Sequence, residues 1–173
     1  MMVYTLQPYV ITPLSPGDRY WVKEFLIRYW GSNRIVSRGK IHHAEQLPGF
    51  AAYATAGVEK FGAGDLLGLI TYHILESQCE IVSIDSLLEG IGIGSQLIQT
   101  VEAVAREHRC DRLWLITTND NTQALRFYQK RNYHLVAIHR GAIEISRQLK
   151  PEIPIFGIDD IPIRDEIELE KIL

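Results

Sequence analysis

The run Gly90-Ile91-Gly92-Ile93-Gly94-Ser95 has residue types and a spacing suited to holding an anion. It follows an apolar, β-rich stretch over residues 81–88 and opens a helix-patterned segment over residues 95–108. The first amides of a helix have no partner inside it, and the helix dipole places partial positive charge there. Glycines let the backbone approach a phosphate without a Cβ in the way. The run therefore reads as a pyrophosphate-binding turn, and a nucleotide-containing cofactor is expected with it.

Three kinds of glycine turn compete for this reading. A dinucleotide fingerprint needs G-x-G-x-x-G and an acid at the end of the next strand. Here the pattern is G-x-G-x-G, and residues 112–118 end without an acid. A phosphate loop of the NTPase kind needs Gly-Lys-Ser/Thr, and there is no lysine in the run. A coenzyme A pyrophosphate turn remains, and the elements around it fit.

Residues 4–11 read as a first strand broken by Pro13, and Ser15-Pro16-Gly17-Asp18 as a helix start. Val22, Phe25, Leu26 and Tyr29 then share a helical face. Residues 31–46 are polar and read as a loop with at most a short helix. Residues 50–56 and 66–75 read as a hairpin, and residues 80–87 as the next strand. After the glycines, Leu97, Ile98, Val101, Val104 and Ala105 form one stripe. Residues 112–118 form a compact strand, and Asn119-Asp120-Asn121 caps a short helix. Residues 134–139 and 142–149 read as two final strands. The order implies an α/β protein of the α+β kind, a central mixed sheet flanked by helices. Residues 1–150 read as one domain and residues 151–173 as an acidic extension packed on the surface, with Ile167, Leu169 and Ile172 available for docking.

The bulk numbers bound the partners. The net charge of −3 does not favour nucleic acid. From Pro151 onward seven acidic and two basic residues give −5, so the remainder carries +2, which suits an anionic cofactor. No apolar run approaches a membrane span of about 20 residues, and no signal peptide is read. Cys79 and Cys110 make no disulfide framework and read as reduced thiols of a cytoplasmic protein. The six histidines lack the spacing of a motif such as H-E-x-x-H, so no metal is expected.

A second signature joins the glycine turn. Asn121-Thr122-Gln123-Ala124-Leu125-Arg126-Phe127-Tyr128, followed by Asn132-Tyr133, lies one helix and one strand further along. With Glu89-Gly90-Ile91-Gly92-Ile93-Gly94 it resembles the GNAT superfamily of N-acetyltransferases over residues 3–149. That family's turn reads Arg/Gln-x-x-Gly-x-Gly/Ala. Here Glu89 replaces the Arg or Gln, and a carboxylate beside a pyrophosphate weakens binding unless it points outward. Asn132 replaces a glycine, a mild change because Asn tolerates positive φ.

The resemblance implies a GNAT-like acyl-CoA N-acyltransferase fold, acetyl-CoA as cofactor, and an amine that attacks its thioester. The cofactor set it implies is Ile84, Ser86, Glu89, Gly90, Ile91, Gly92, Ile93, Gly94, Ser95, Asn119, Asn121 and Tyr128. Tyr128 matches the tyrosine that protonates the departing thiolate, a role suited to a pKa near 10. Glu80 is the first candidate base. Asp85 lies closer to the turn but on the other face if the strand alternates regularly, and His43 is a third option. Asn119 and Asn121 could equally serve as a turn residue and a helix cap. The expected substrate is a primary amine of a small molecule or peptide, and a homodimer stays open. The alternative is a non-catalytic acyl-CoA-binding module of the same fold.

Overall fold

The computed structural model describes residues 8–55 and 57–173. Its centre is a seven-stranded mixed sheet. In chain order the strands are β1 (Tyr9–Pro13), β4 (Gly49–Ala54), β5 (Leu66–Leu75), β6 (Gln78–Ser86), β7 (Arg112–Thr118), β8 (His134–His139) and β9 (Glu166–Ile172). They lie side by side as β1-β4-β5-β6-β7-β9-β8. Among the described residues only β6 and β7 run parallel; every other neighbouring pair of this sheet is antiparallel. Strands β2 (Arg34–Ser37) and β3 (Lys40–His43) form a separate hairpin. The helices are α1 (Arg19–Trp30), α2 (Ile93–Glu107), α3 (Thr122–Gln129) and α4 (Ala142–Leu149). No helix among the described residues is long and apolar enough to cross a membrane.

Two apolar clusters cover the two sheet faces. Helix α2 buries the stripe Leu97, Ile98, Val101 and Ala105 against Ile70, Tyr72 and Ile81. Helix α1 buries Val22, Phe25 and Leu26 against Leu69 and Val82 on the opposite face. The start of α1 is fixed locally. Asp18 accepts hydrogen bonds from the Ser15 amide and hydroxyl, both at 2.7 Å, which is a capping box ahead of the helix. Gly31, at φ 72°, ends α1 in the left-handed region.

Four sequence expectations meet a different outcome. Strand β1 is Tyr9–Pro13, and Pro13 closes it on an edge of the sheet, where no ladder donor is lost; residues 4–7 lie outside the described residues. The polar stretch 31–46 is not a loop but holds the β2–β3 hairpin. Arg38 (φ 48°) and Gly39 (φ 73°) form its two-residue turn, a conformation that matches strand twist. Residues 142–149 form helix α4 rather than a strand. Its buried residues are Ile143 and Ser146, a helical spacing, while Ile145 faces solvent.

The fourth difference is the largest. Residues 166–172, expected in a surface extension, form β9 inside the sheet, between β7 and β8. Leu169 is fully buried, and Ile167 packs in the α2-side core. The intervening acids are buried as well, because each has partners. Glu166 accepts from the Ser146 hydroxyl at 2.8 Å and the Arg38 amide at 3.1 Å. Glu168 takes the Arg112 guanidinium and the His139 imidazole, both at 3.0 Å. A buried charge persists only when so paired. Leu169→Ala should therefore lower stability by about 2–5 kcal/mol, read as a fall in denaturation midpoint; a change confined to a few tenths would mean that β9 is dispensable.

Candidate active site

The glycine run makes the bend between β6 and α2. Gly90 and Gly92 both sit at φ 84°, where an L side chain is strained. Gly92 is the N-cap residue of α2, and the first amide bonded back along the helix is that of Gln96, to the Gly92 carbonyl at 3.0 Å. The amides of Ile93, Gly94 and Ser95 thus stand at the open end of a 15-residue helix. Glu89, which precedes the bend, is exposed.

The second signature docks onto the first. A Cβ on Gly94 would stand 3.1 Å from Cζ of Phe127, so any side chain there would press the ring back by a few tenths of an ångström. Arg131 then lies across the junction. Its guanidinium stacks on the Phe127 ring, 3.5 Å from the centroid, and its Nε donates to Ser95 Oγ at 3.0 Å. Burial pulls the Arg131 pKa down from its ordinary value, yet a guanidinium remains charged at any working pH. The structure thus places a cation at the first turn of α2. Sequence reading missed it; the available signal was a basic residue three positions beyond the second signature.

Strand pairing leaves an opening in the sheet beside β6. Strand β6 pairs with β5 over its full length, up to Ser86 opposite Gly68. Its parallel ladder with β7 ends at Ile81 opposite Leu115. Beyond that point β6 and β7 part, and the β7-facing backbone groups of residues 82–86, Ile84 and Ser86 among them, lose their ladder partner. The Ser86 hydroxyl donates to the Leu88 carbonyl at 2.9 Å, which fixes the strand's exit into the bend.

A register shift decides which side chains face this opening. Thr71 pairs with Ser83, but Tyr72 pairs with Ile81, so Val82 is an extra residue in β6, a β-bulge. Regular alternation would put Glu80 and Asp85 on opposite faces. The bulge returns them to one face, with Glu80 opposite His73, Ser83 opposite Thr71 and Asp85 opposite Leu69. That is the face covered by α1. The expectation that Asp85 points away from Glu80 is therefore corrected.

Asp85 accepts from the indole Nε1 of Trp30, at 2.9 Å and 3.1 Å to its two oxygens. Burial pushes its pKa up to about 6, and the Trp30 hydrogen bond opposes that shift. Tyr128 is buried on α3, edge-on to Phe127 and Tyr133. Its pKa is raised first by burial and next by the negative charge of Asp85. Glu80 is also buried, with Oε2 3.4 Å from Nε2 of His42. The hairpin thus presents His42 to the site. His43, its neighbour by one, is exposed and lies 4.0 Å from Glu45.

The two asparagines divide. Asn121 caps α3 by accepting from the Ala124 amide at 3.0 Å. Asn119 is spent on the chain before β9. Its Oδ1 accepts from the Arg164 and Asp165 amides at 2.9 Å and 3.0 Å, and its Nδ2 donates to the Pro162 carbonyl at 2.9 Å.

A helix N-terminus opened by glycines, set where two parallel strands part, is the geometry of an acyl-CoA transferase fold. Residues 21–133 match the Acetyltransferase (GNAT) family, and the chain belongs to that family. It is 40% identical over 164 residues to the uncharacterized protein YdhI of Bacillus subtilis (strain 168), covering 95% of this chain and 98% of that one. Among solved structures it resembles the IAA acetyltransferase from Bacillus cereus ATCC 14579, with TM-score 0.70 at 21% identity over 95% of this chain and 99% of that one. It also resembles a GNAT family acetyltransferase from Elizabethkingia anophelis with acetyl-CoA bound, with TM-score 0.65 at 19% identity over 97% and 100%.

Proposed function

We propose that this chain is an acetyl-CoA-dependent N-acetyltransferase acting on a primary amine of a small molecule or peptide. The observation that carries the reading is the end of the β6–β7 ladder at Ile81, which leaves a free strand edge leading to the glycine bend and the open N-terminus of α2. The acetyl-CoA in the similar Elizabethkingia structure supports the choice of cofactor. The diphosphate is held by the amides of residues 90–95 and by Arg131. The pantetheine arm lies against the freed edge of β6 at Ile84 and Ser86. Asn121 serves through its cap, which sets the start of α3. Acetyl-CoA titration and a CoA-release assay over a panel of amines test this directly. Tight binding without turnover on any amine would leave a binding module instead.

In the reaction the amine nitrogen attacks the thioester carbonyl carbon. A backbone amide on the freed edge of β6 stabilises the oxyanion. The C–S bond then breaks, and the ammonium proton must leave. We assign the proton acceptor to Asp85 in place of Glu80, for two reasons. Asp85 is nearer the bend, and a pKa of about 6 suits a base working near neutrality. It is also coupled to Tyr128, whose hydroxyl burial and the Asp85 charge hold in its protonated form. Tyr128 therefore first donates a hydrogen bond to the departing sulfur. Once Asp85 has taken the amine proton it is neutral, and its opposition to proton loss from Tyr128 disappears. Tyr128 then passes its proton to the thiolate to give the free thiol of CoA. Afterwards Tyr128 regains a proton and Asp85 gives one up, through solvent. Base and acid are linked through one charge.

Tyr128→Phe should lower kcat about 10–100-fold and leave the acetyl-CoA Kd near its starting value. A collapsed affinity with unchanged rate would refute the donor role. Arg131→Ala should weaken acetyl-CoA by about tenfold, a loss of about 1.4 kcal/mol, with the melting temperature as the check on folding. The rate should also depend on pH with a definite sign. A base of pKa about 6 is protonated below that value, so kcat/KM should fall as pH drops through 6. Asp85→Asn should abolish this acid limb along with most of the rate, and Glu80→Gln should retain the limb; the opposite pattern returns the role to Glu80.

A further inference from the structure

Glu80 stands among groups that proton transfer does not use. His42 on β3, His73 on β5 and Glu80 on β6 each turn a ligand atom into one small space, and the three atoms all lie within 4.8 Å of one another. The rings of His42 and His73 are 5.4 Å apart, centroid to centroid. His42 is 8% exposed and Glu80 5%. Neither is satisfied: among the described residues His42 Nε2 and Glu80 Oε1 have no hydrogen-bond partner, although both atoms are buried. Their contact, at 3.4 Å between Nε2 and Oε2, is an ion-pair distance without a hydrogen bond. A buried polar atom left unpaired costs about 1–3 kcal/mol, and here two converge on the same point.

One occupant satisfies both. The geometry points to a binding site for a divalent transition-metal ion of the zinc class, held by His42, His73 and Glu80. Two imidazoles and a carboxylate are the ligand types that zinc prefers over magnesium or calcium. With bonds of about 2.0–2.2 Å, tetrahedral ligand atoms stand about 3.4 Å apart, which is the separation found between His42 and Glu80. His73 is only partly buried, and so gives the ion a path from solvent. The three ligands leave a fourth position for water. No ligand spacing betrays this site in the sequence, because each ligand comes from a different strand. The pairing of His73 with Glu80 across β5 and β6, and the fold of the hairpin over that face, bring them together. The glycine bend follows the other end of β6, so none of the three ligands is among the groups assigned to the diphosphate.

The test is calorimetric titration of chelator-treated full-length protein with ZnCl2, alongside acetyl-CoA titration of the same samples. We expect one zinc per chain, a raised melting temperature with zinc, and no heat with MgCl2. Co2+ should bind at the same stoichiometry and give the visible absorption of a tetrahedral site. His73→Ala, partly exposed and so least disruptive to folding, should weaken zinc at least tenfold, and His42→Ala and Glu80→Gln should do the same. Each variant should keep its acetyl-CoA affinity. Absence of stoichiometric zinc binding, or binding indifferent to all three substitutions, overturns the site. Zinc binding without acetyl-CoA binding would instead overturn the cofactor reading and leave the metal site standing.

Discussion

Strand β6 is claimed by β5 along its whole length and by β7 for only its first half. The rest of the site depends on this unequal pairing. A parallel ladder continued to Ser86 would consume the backbone groups proposed to hold the acyl arm. Its end at Ile81 leaves them free, yet the strand stays rigid, because β5 still pairs with it and Leu69 and Val82 anchor it under α1. The bulge at Val82 falls where the two strands begin to part. An extra residue in one strand increases local twist and bends it, so the bulge and the parting are one distortion. The same distortion brings Asp85 to the face of Glu80.

Partners far apart in sequence hold that face in place. Arg38 at the hairpin turn gives its amide to Glu166 of β9, and its guanidinium sits 5.8 Å from the Trp114 ring on β7. Arg112 of β7 bridges Glu168 and Glu170, at 3.0 Å and 2.6 Å. The C-terminal strand is thus more than a filler between β7 and β8. Its paired acids fasten the β2–β3 hairpin across the sheet, and that hairpin carries His42 to Glu80. At its other end α1 sends Trp30 to Asp85. Each carboxylate of β6 is met by a side chain from a different covering element.

What could be read from the chain alone follows a physical line. The glycine bend was legible because Gly90 and Gly92 occupy left-handed backbone that other residues enter only at a cost. The stripe of α2 was legible because periodicity survives in sequence. The cap by Asn121 was legible because capping is local. The face of Asp85 was not, because one bulged residue reverses the parity of everything after it. The hairpin was hidden because two four-residue strands with charged residues carry little pattern. Strand β9 did alternate, as Glu166, Ile167, Glu168, Leu169, but its acids suggested a solvated tail. Partners supplied by other elements, Arg38, Arg112, His139 and Ser146, offset the cost of burying those acids.

The bulge also separates two kinds of chemistry on one strand. Before it, Glu80 faces two imidazoles in a space closed by the hairpin, where unpaired lone pairs favour a cation with several coordination sites. After it, Asp85 accepts from an indole N–H and acts electrostatically on a tyrosine hydroxyl, the surroundings of the proposed proton transfer. Five positions of an unbroken, regularly alternating strand would have put these carboxylates on opposite sides of the sheet, one of them among the apolar side chains beneath α2. The extra residue lets both share the α1 face, and each keeps its own partners and its own role.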